Sequence, residues 1–117
     1  FGPVPAFRAL LAEAGDEVLG VAMYSPVFST VRAAPGLYVS DLWVSSAARG
    51  RGLGKRLLQA VARDAEEAWG ARFLRLVVYE ENPDARRFYD RLGFSADPQD
   101  IVMTLDETGL NALKGQG

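Results

Sequence analysis

Apolar and polar positions alternate early in the chain. Residues 18–24 are rich in Val, Leu, Met and Tyr, types that favour extended backbone. The preceding stretch is two-sided. Ala, Leu, Arg and Glu over 7–13 favour helix on propensity, yet Phe7, Ala9 and Leu11 alternate with Arg8, and Gly15-Asp16 follows as a hairpin turn. The pattern predicts a hairpin of strand 6–13 against strand 17–27. Residues 29–36 read as a connection, with Pro35-Gly36 as its turn signal, and 37–44 as the next strand.

The period then changes to that of a helix. Leu57, Leu58, Val61, Ala62 and Ala65 make one apolar stripe over 52–69, and Gly70 supplies a stop. Residues 73–79 alternate too little for a half-exposed strand. Leu74, Leu76, Val77 and Val78 read as a central strand covered on both faces. A second helix is expected over 83–92, with Asn82 as N-cap, Pro83 at the first helical position and Gly93 at the end. A short strand over 94–96, a turn Asp97-Pro98-Gln99-Asp100 and a last strand over 101–105 follow. The polar tail, 107–117, is expected to fray, with a short helix at 110–114. No repeat or low-complexity segment interrupts the chain, and 1–117 reads as one small domain.

Composition removes several chemistries. There is no cysteine, so disulfides, thiolate metal sites and cysteine nucleophiles are excluded, and no histidine, the usual general base and commonest metal ligand. The 13 basic and 15 acidic residues give no overall field for nucleic acid or an anionic membrane. No apolar run approaches the ~20 residues of a membrane span. No metal, nucleic-acid or membrane partner is expected, and a cytoplasmic location is the default. The chain opens on Phe1, Gly2, Pro3 and Pro5, as though continuing something longer.

The chemistry concentrates between the strand at 37–44 and the helix that follows. Arg49-Gly50-Arg51-Gly52-Leu53-Gly54-Lys55 holds three glycines in five residues, between arginines and a lysine. Glycines permit sharp turns and close approach of a ligand, and a helix N-terminus offers unpaired N–H groups to an anion. The same spacing suits a tight connection with solvated arginines. A P-loop is excluded, because Arg49 and Arg56 stand where its first glycine and its hydroxyl belong. G-x-G-x-x-G fails as well, with Lys55 or Leu57 at its third glycine.

What fits is Arg-x-x-Gly-x-Gly, at Arg49, Gly52 and Gly54. With Asn82-Pro83-Asp84-Ala85-Arg86-Arg87-Phe88-Tyr89-Asp90-Arg91-Leu92-Gly93-Phe94, it resembles the two motifs of the GNAT acetyltransferases, over roughly 7–106. The resemblance implies an α/β (α+β) fold with a mixed, mostly antiparallel sheet and two helices after the central strands. It also implies that the strand and helices with which such domains begin are absent here. The implied donor substrate is acetyl coenzyme A. Residues Gly50, Arg51, Gly52, Leu53, Gly54 and Lys55, with Arg49, would hold its pyrophosphate. The main chain of Leu42, Trp43 and Val44 would hold the pantetheine arm between two splayed strands, although these residues are apolar enough to be plain core. Leu37, Tyr38 and Val39 are core. Asn82 would bond the arm or simply cap its helix.

Tyr89, by its place in the motif, would protonate the departing thiolate; a packing role beside Phe88 is the alternative. The amine must first lose a proton, and Asp41, Glu80 and Glu81 are candidates to take it through water, or else solvated carboxylates. Arg86 can pair with Asp90 at i, i+4. The strand Leu37-Tyr38-Val39-Ser40-Asp41-Leu42-Trp43-Val44 most resembles the diamine (spermidine/spermine) N-acetyltransferase branch, but Ser40 stands where that branch carries Glu. The resemblance implies a polyamine, a diamine or an amino acid as acceptor. A homodimer is expected. The other functional class is a non-catalytic acyl-coenzyme A-binding module on the same fold.

Overall fold

A computed structural model describes residues 7–78, 81–97 and 102–115. Contacts gather into two compact units, Phe1–Pro83 and Asp84–Gly117. The first contains β1 (Arg8–Ala14), β2 (Glu17–Ser29), β3 (Ala34–Val44), α1 (Leu53–Trp69) and β4 (Leu74–Arg75). The sheet order is β1-β2-β3-β4, antiparallel across the first three strands, with β4 parallel to β3.

The ambiguous segment is a strand. Gly15, at φ +62°, and Asp16 make the turn that places Ala14 opposite Glu17. Its inward row, however, is Leu10 and Ala12, while Phe7 and Leu11 are exposed. Arg8 sets this phase: it lies in the row of Leu10 and Ala12, and its guanidinium pairs with Asp64 of α1 at 2.8 Å.

The core lies between α1 and the sheet. Leu57, Leu58, Val61 and Ala65 of α1 are buried with Ala22, Tyr24, Leu37 and Val39. Ala62, expected in the apolar stripe, faces solvent. Gly20 lets α1 approach β2 closely, since a Cβ there would lie 2.8 Å from Leu57 Cδ1. Gly70, at φ +71°, ends α1 as expected.

Three expectations about the sheet change. Pro35-Gly36 is not the turn. Ala33, at φ +51°, occupies the left-handed position, and Pro35 and Gly36 already belong to β3. Their carbonyls explain why: Pro35 accepts from the Arg72 amide at 2.9 Å and Gly36 from Trp69 Nε1 at 2.8 Å. The strand expected over 73–79 is two residues long and stands at the sheet's edge among the described residues. Its surroundings alternate, with Arg75 and Val77 exposed and Leu74, Leu76 and Val78 half-buried, so it is not covered on both faces. Residues 94–97 and 102–105 form no strand, and Val102 and Met103 lie exposed. The turn residues Pro98, Gln99 and Asp100, with Ile101, lie outside the described residues.

The second unit carries α2 (Pro83–Arg91), which begins at the boundary, and α3 (Glu107–Leu113). Gly93, at φ +98°, closes α2: its amide donates to the Asp90 carbonyl and the Phe94 amide to the Tyr89 carbonyl, both at 3.1 Å. This crossed pair is the Schellman arrangement. The expected helix at 110–114 starts earlier, because the Asp106 carboxylate accepts from the Gly109 amide at 2.8 Å and caps it.

Candidate functional site

The end of β3 offers a strand edge. Its partner on one side, β2, runs along the whole strand, but β4 pairs only with Leu37 and Tyr38. Beyond Tyr38, that side of β3 has no strand partner among the described residues. A bulge follows at once: Met23 faces Asp41 and Tyr24 faces Val39, leaving Ser40 as the extra residue, with its hydroxyl donating to the Met23 carbonyl at 3.2 Å. Bulges bend a strand and raise its twist, and the pairing with β4 ends just before this one. Leu42 and Val44 are half-buried, whereas Trp43 is 45% exposed rather than core. Asp41 is exposed and opposite Met23.

The loop follows directly. Ser45 donates its amide to the Leu19 carbonyl at 2.8 Å, and a single 3₁₀ turn, Ser46–Ala48, leads to Arg49. The Ser45 hydroxyl is buried without a hydrogen-bond partner among the described residues. Gly50 and Gly52 take left-handed φ of +82° and +73°, and Gly52 is the N-cap of α1. A Cβ at either would meet open space, so the need for glycine here is conformational. Gly54 already lies in the helix.

The amides of residues 50–55 find no acceptor among the described residues; the first to do so is Arg56, on Gly52. Arg51, Lys55 and Arg56 are exposed with no carboxylate partner there. Six free amides and several uncompensated cations at a helix start suit a diphosphate. Arg49 behaves differently: its Nε donates to the Val44 carbonyl at 3.3 Å.

Tyr89 lies on α2 in the second unit. Its ring packs edge-on against Phe88, with centroids 5.1 Å apart, and Phe94, at 5.4 Å. Burial pushes the phenol's pKa up. Arg86 pairs with Asp90 at 3.5 Å, as expected, and Arg87 with Asp84. Asn82 and Glu81 are exposed beside the start of α2, while Glu80 lies outside the described residues.

One polar cluster had no signal in the sequence. Tyr24 is buried, and its hydroxyl donates to Asp64 at 2.5 Å, while Arg8 donates to the same carboxylate. The hydrogen bond from Tyr24, then that from Arg8, holds the Asp64 carboxyl below its usual range. Burial, then Asp64, pushes the Tyr24 phenol up. The Tyr24 ring also lies 6.3 Å from that of Trp69. This cluster ties β1 and β2 to α1.

Among the described residues, no helix is long and apolar enough to cross a membrane. Comparison with known proteins agrees with the motifs. The chain is 36% identical over 88 residues to YhfO of Bacillus subtilis (strain 168), an uncharacterised N-acetyltransferase, covering 75% of this chain and 58% of that protein. It is 32% identical over 101 residues to the thialysine N-epsilon-acetyltransferase of Bos taurus, covering 80% of this chain and 58% of that one. Among solved structures, an integron cassette protein from the mobile metagenome of V. cholerae superposes with a TM-score of 0.83 at 31% identity, over 92% of this chain and 66% of that one. The chain thus spans 58% of the length of these two curated relatives. The profile of the Acetyltransferase (GNAT) family matches residues 3–94, and the chain belongs to that family.

Proposed function

We propose that this protein is an acetyl-coenzyme A-dependent N-acetyltransferase that moves an acetyl group to a primary amine of a small molecule. One observation carries the reading: among the described residues, a strand edge with no strand partner runs directly into a loop of free amides and uncompensated cations. The edge of β3 at Leu42, Trp43 and Val44 suits the amide groups of a pantetheine arm, which an open strand can bond as another strand would. Residues 50–55 suit the pyrophosphate, with Arg51 and Lys55 adding charge.

In the proposed reaction the acceptor ammonium loses a proton, through water, to a carboxylate, with Asp41, Glu80 and Glu81 as the candidates. The amine nitrogen then attacks the thioester carbonyl carbon. As the carbon–sulfur bond breaks, Tyr89 gives its proton to the thiolate, and the proton that the nitrogen sheds on becoming an amide returns to the phenolate through water. A phenol whose pKa is raised keeps that proton to higher pH. Asn82 serves the pantetheine arm. The acceptor class rests on the likeness to the thialysine enzyme, whose name specifies an amine on a small amino acid, and on Asp41, whose charge attracts ammonium. We read the enzyme as cytoplasmic and as a homodimer.

A steady-state assay with acetyl coenzyme A, thiol detection and a panel of polyamines, diamines and amino acids tests the activity. Calorimetry with coenzyme A tests the placement. Gly52→Val forces a branched residue into a left-handed N-cap, costing ~1–2 kcal/mol of backbone strain, and puts bulk beside the free amides. It should weaken coenzyme A binding at least about tenfold, ~1.4 kcal/mol. A folded Gly52→Val variant that binds coenzyme A as wild type does would refute the loop as the pyrophosphate site.

A further inference from the structure

The loop's cations are not equivalent. Arg51, Lys55 and Arg56 reach no acceptor among the described residues, whereas Arg49 turns back and places Nε on the Val44 carbonyl, the last of β3. The intervening turn is tied at several points. Ser45 donates to Leu19 at 2.8 Å, Ala48 to Ser45 at 3.0 Å, and the Arg49 amide to Ser46 at 3.4 Å. Ala48 is buried at its centre. Arg49 therefore closes a small ring joining the strand end to the loop start. Nε is the only nitrogen this bond uses, and the two Nη groups keep four N–H donors.

We propose that Arg49 is a positioning residue. Through its Nε bond to Val44 it fixes the open edge of β3 relative to the amides of residues 50–55, so that one rigid piece meets both the pantetheine arm and the pyrophosphate. The inference rests on the coenzyme A reading above, and goes beyond it by giving Arg49 a role that survives removal of the phosphates. A residue that merely neutralises phosphate matters only when phosphate is present. A residue that holds the strand end matters for a ligand with no phosphate at all.

The test compares coenzyme A with acetyl-pantetheine, which has the arm and thioester but no pyrophosphate or nucleotide. Dissociation constants come from NMR titration of the full chain, which tolerates weak binding. Arg49→Ala should weaken acetyl-pantetheine about five- to tenfold, the worth of one lost hydrogen bond near 1 kcal/mol. Arg51→Ala should weaken coenzyme A and leave acetyl-pantetheine unchanged. Arg49→Gln separates the bond from the charge, because its Nε2 follows Cδ just as Nε does in arginine. It should retain most of the acetyl-pantetheine affinity while losing affinity for coenzyme A.

Without any ligand, amide exchange at Ser45 should quicken in Arg49→Ala and stay at the wild-type rate in Arg51→Ala. Unchanged acetyl-pantetheine affinity in Arg49→Ala, or unchanged Ser45 exchange, overturns the proposal while leaving the coenzyme A reading standing. A wild-type chain that binds neither ligand overturns both.

Discussion

Tyr89 shows how much one side chain can be asked to do. Its ring sits against Phe94 as the carbonyl of Tyr89 accepts the Phe94 amide, so the ring helps to stop α2. Tyr89→Phe keeps that ring and removes one oxygen, which separates packing from proton transfer. If the phenol protonates the thiolate, turnover should fall by about 10²–10⁴-fold. Affinity for acetyl coenzyme A should barely move, because the loss falls on the transition state. The pH profile gives a second check. The acid must be protonated, so wild-type turnover falls as pH rises through the Tyr89 pKa, which burial sets above the usual ~10 of a phenol. The variant should lose that alkaline limb. Turnover of Tyr89→Phe within about threefold of wild type, with the best amine of the panel, would remove Tyr89 from the chemistry. The turn at Gly50 and Gly52 and the place of Tyr89 on α2 were legible because their spacing is local. Asp64 was not, because its partners Tyr24 and Arg8 stand 40 and 56 positions away. Arg49 was legible as a charge, but its bond to Val44 depends on a turn that spacing does not reveal.

Among the elements, α1 and its C-terminal stop followed directly from the apolar period and from Gly70. The hairpin existed as expected but in the opposite phase, since Arg8 found a carboxylate on α1 and took the inward row. The segment after α1 misled most. Its apolar run suggested a long central strand, yet pairing ends at Tyr38 and Arg75, just before the bulge at Ser40. Sequence periodicity does not register where two neighbours diverge. Gly36 was misread for a related reason: glycine marks turns, but here it marks a close approach. A Cβ at Gly36 would lie 2.5 Å from Cζ of Phe73 and 2.6 Å from both its Cε atoms. That ring also carries the guanidinium of Arg32 at 5.2 Å and of Arg75 at 5.5 Å. Gly36→Ala must therefore push the ring away and disturb the joint at which the Phe73 carbonyl accepts the Leu37 amide. The expected loss is ~1–3 kcal/mol, the usual cost of overpacking, read from the urea midpoint at unchanged slope. A loss below ~0.5 kcal/mol, the scale of ordinary surface changes, would show that the ring yields freely and that the glycine is not required.

For the molecule as a whole, the expected homodimer turns on the outer side of β1. Among the described residues β1 pairs only with β2, so its outer edge carries backbone donors and acceptors without a strand partner there. Proteins guard such edges with charge, proline or bulges. The guards here lie at the ends. Arg8 is engaged by Asp64, and the bulge falls between Ala12 and Glu13. Residues 9–12, Ala-Leu-Leu-Ala, carry no charge. Leu11 is 55% exposed and faces Val21, which in turn faces Trp43, so an apolar row crosses the sheet on the side away from α1. A net charge of −2 supplies little repulsion between copies. Edge pairing therefore outweighs its guards, and the expected state at micromolar concentration is a dimer joined through β1. Leu11→Lys puts a charge at the centre of that edge without touching the half-buried inward row of Leu10 and Ala12, and it should shift the equilibrium to monomer with the fold retained. Sedimentation velocity of the two chains, with circular dichroism to confirm the fold, measures this. A wild-type chain that sediments as a well-behaved monomer across the concentration series would mean that the bulge and the end charges suffice to protect the edge.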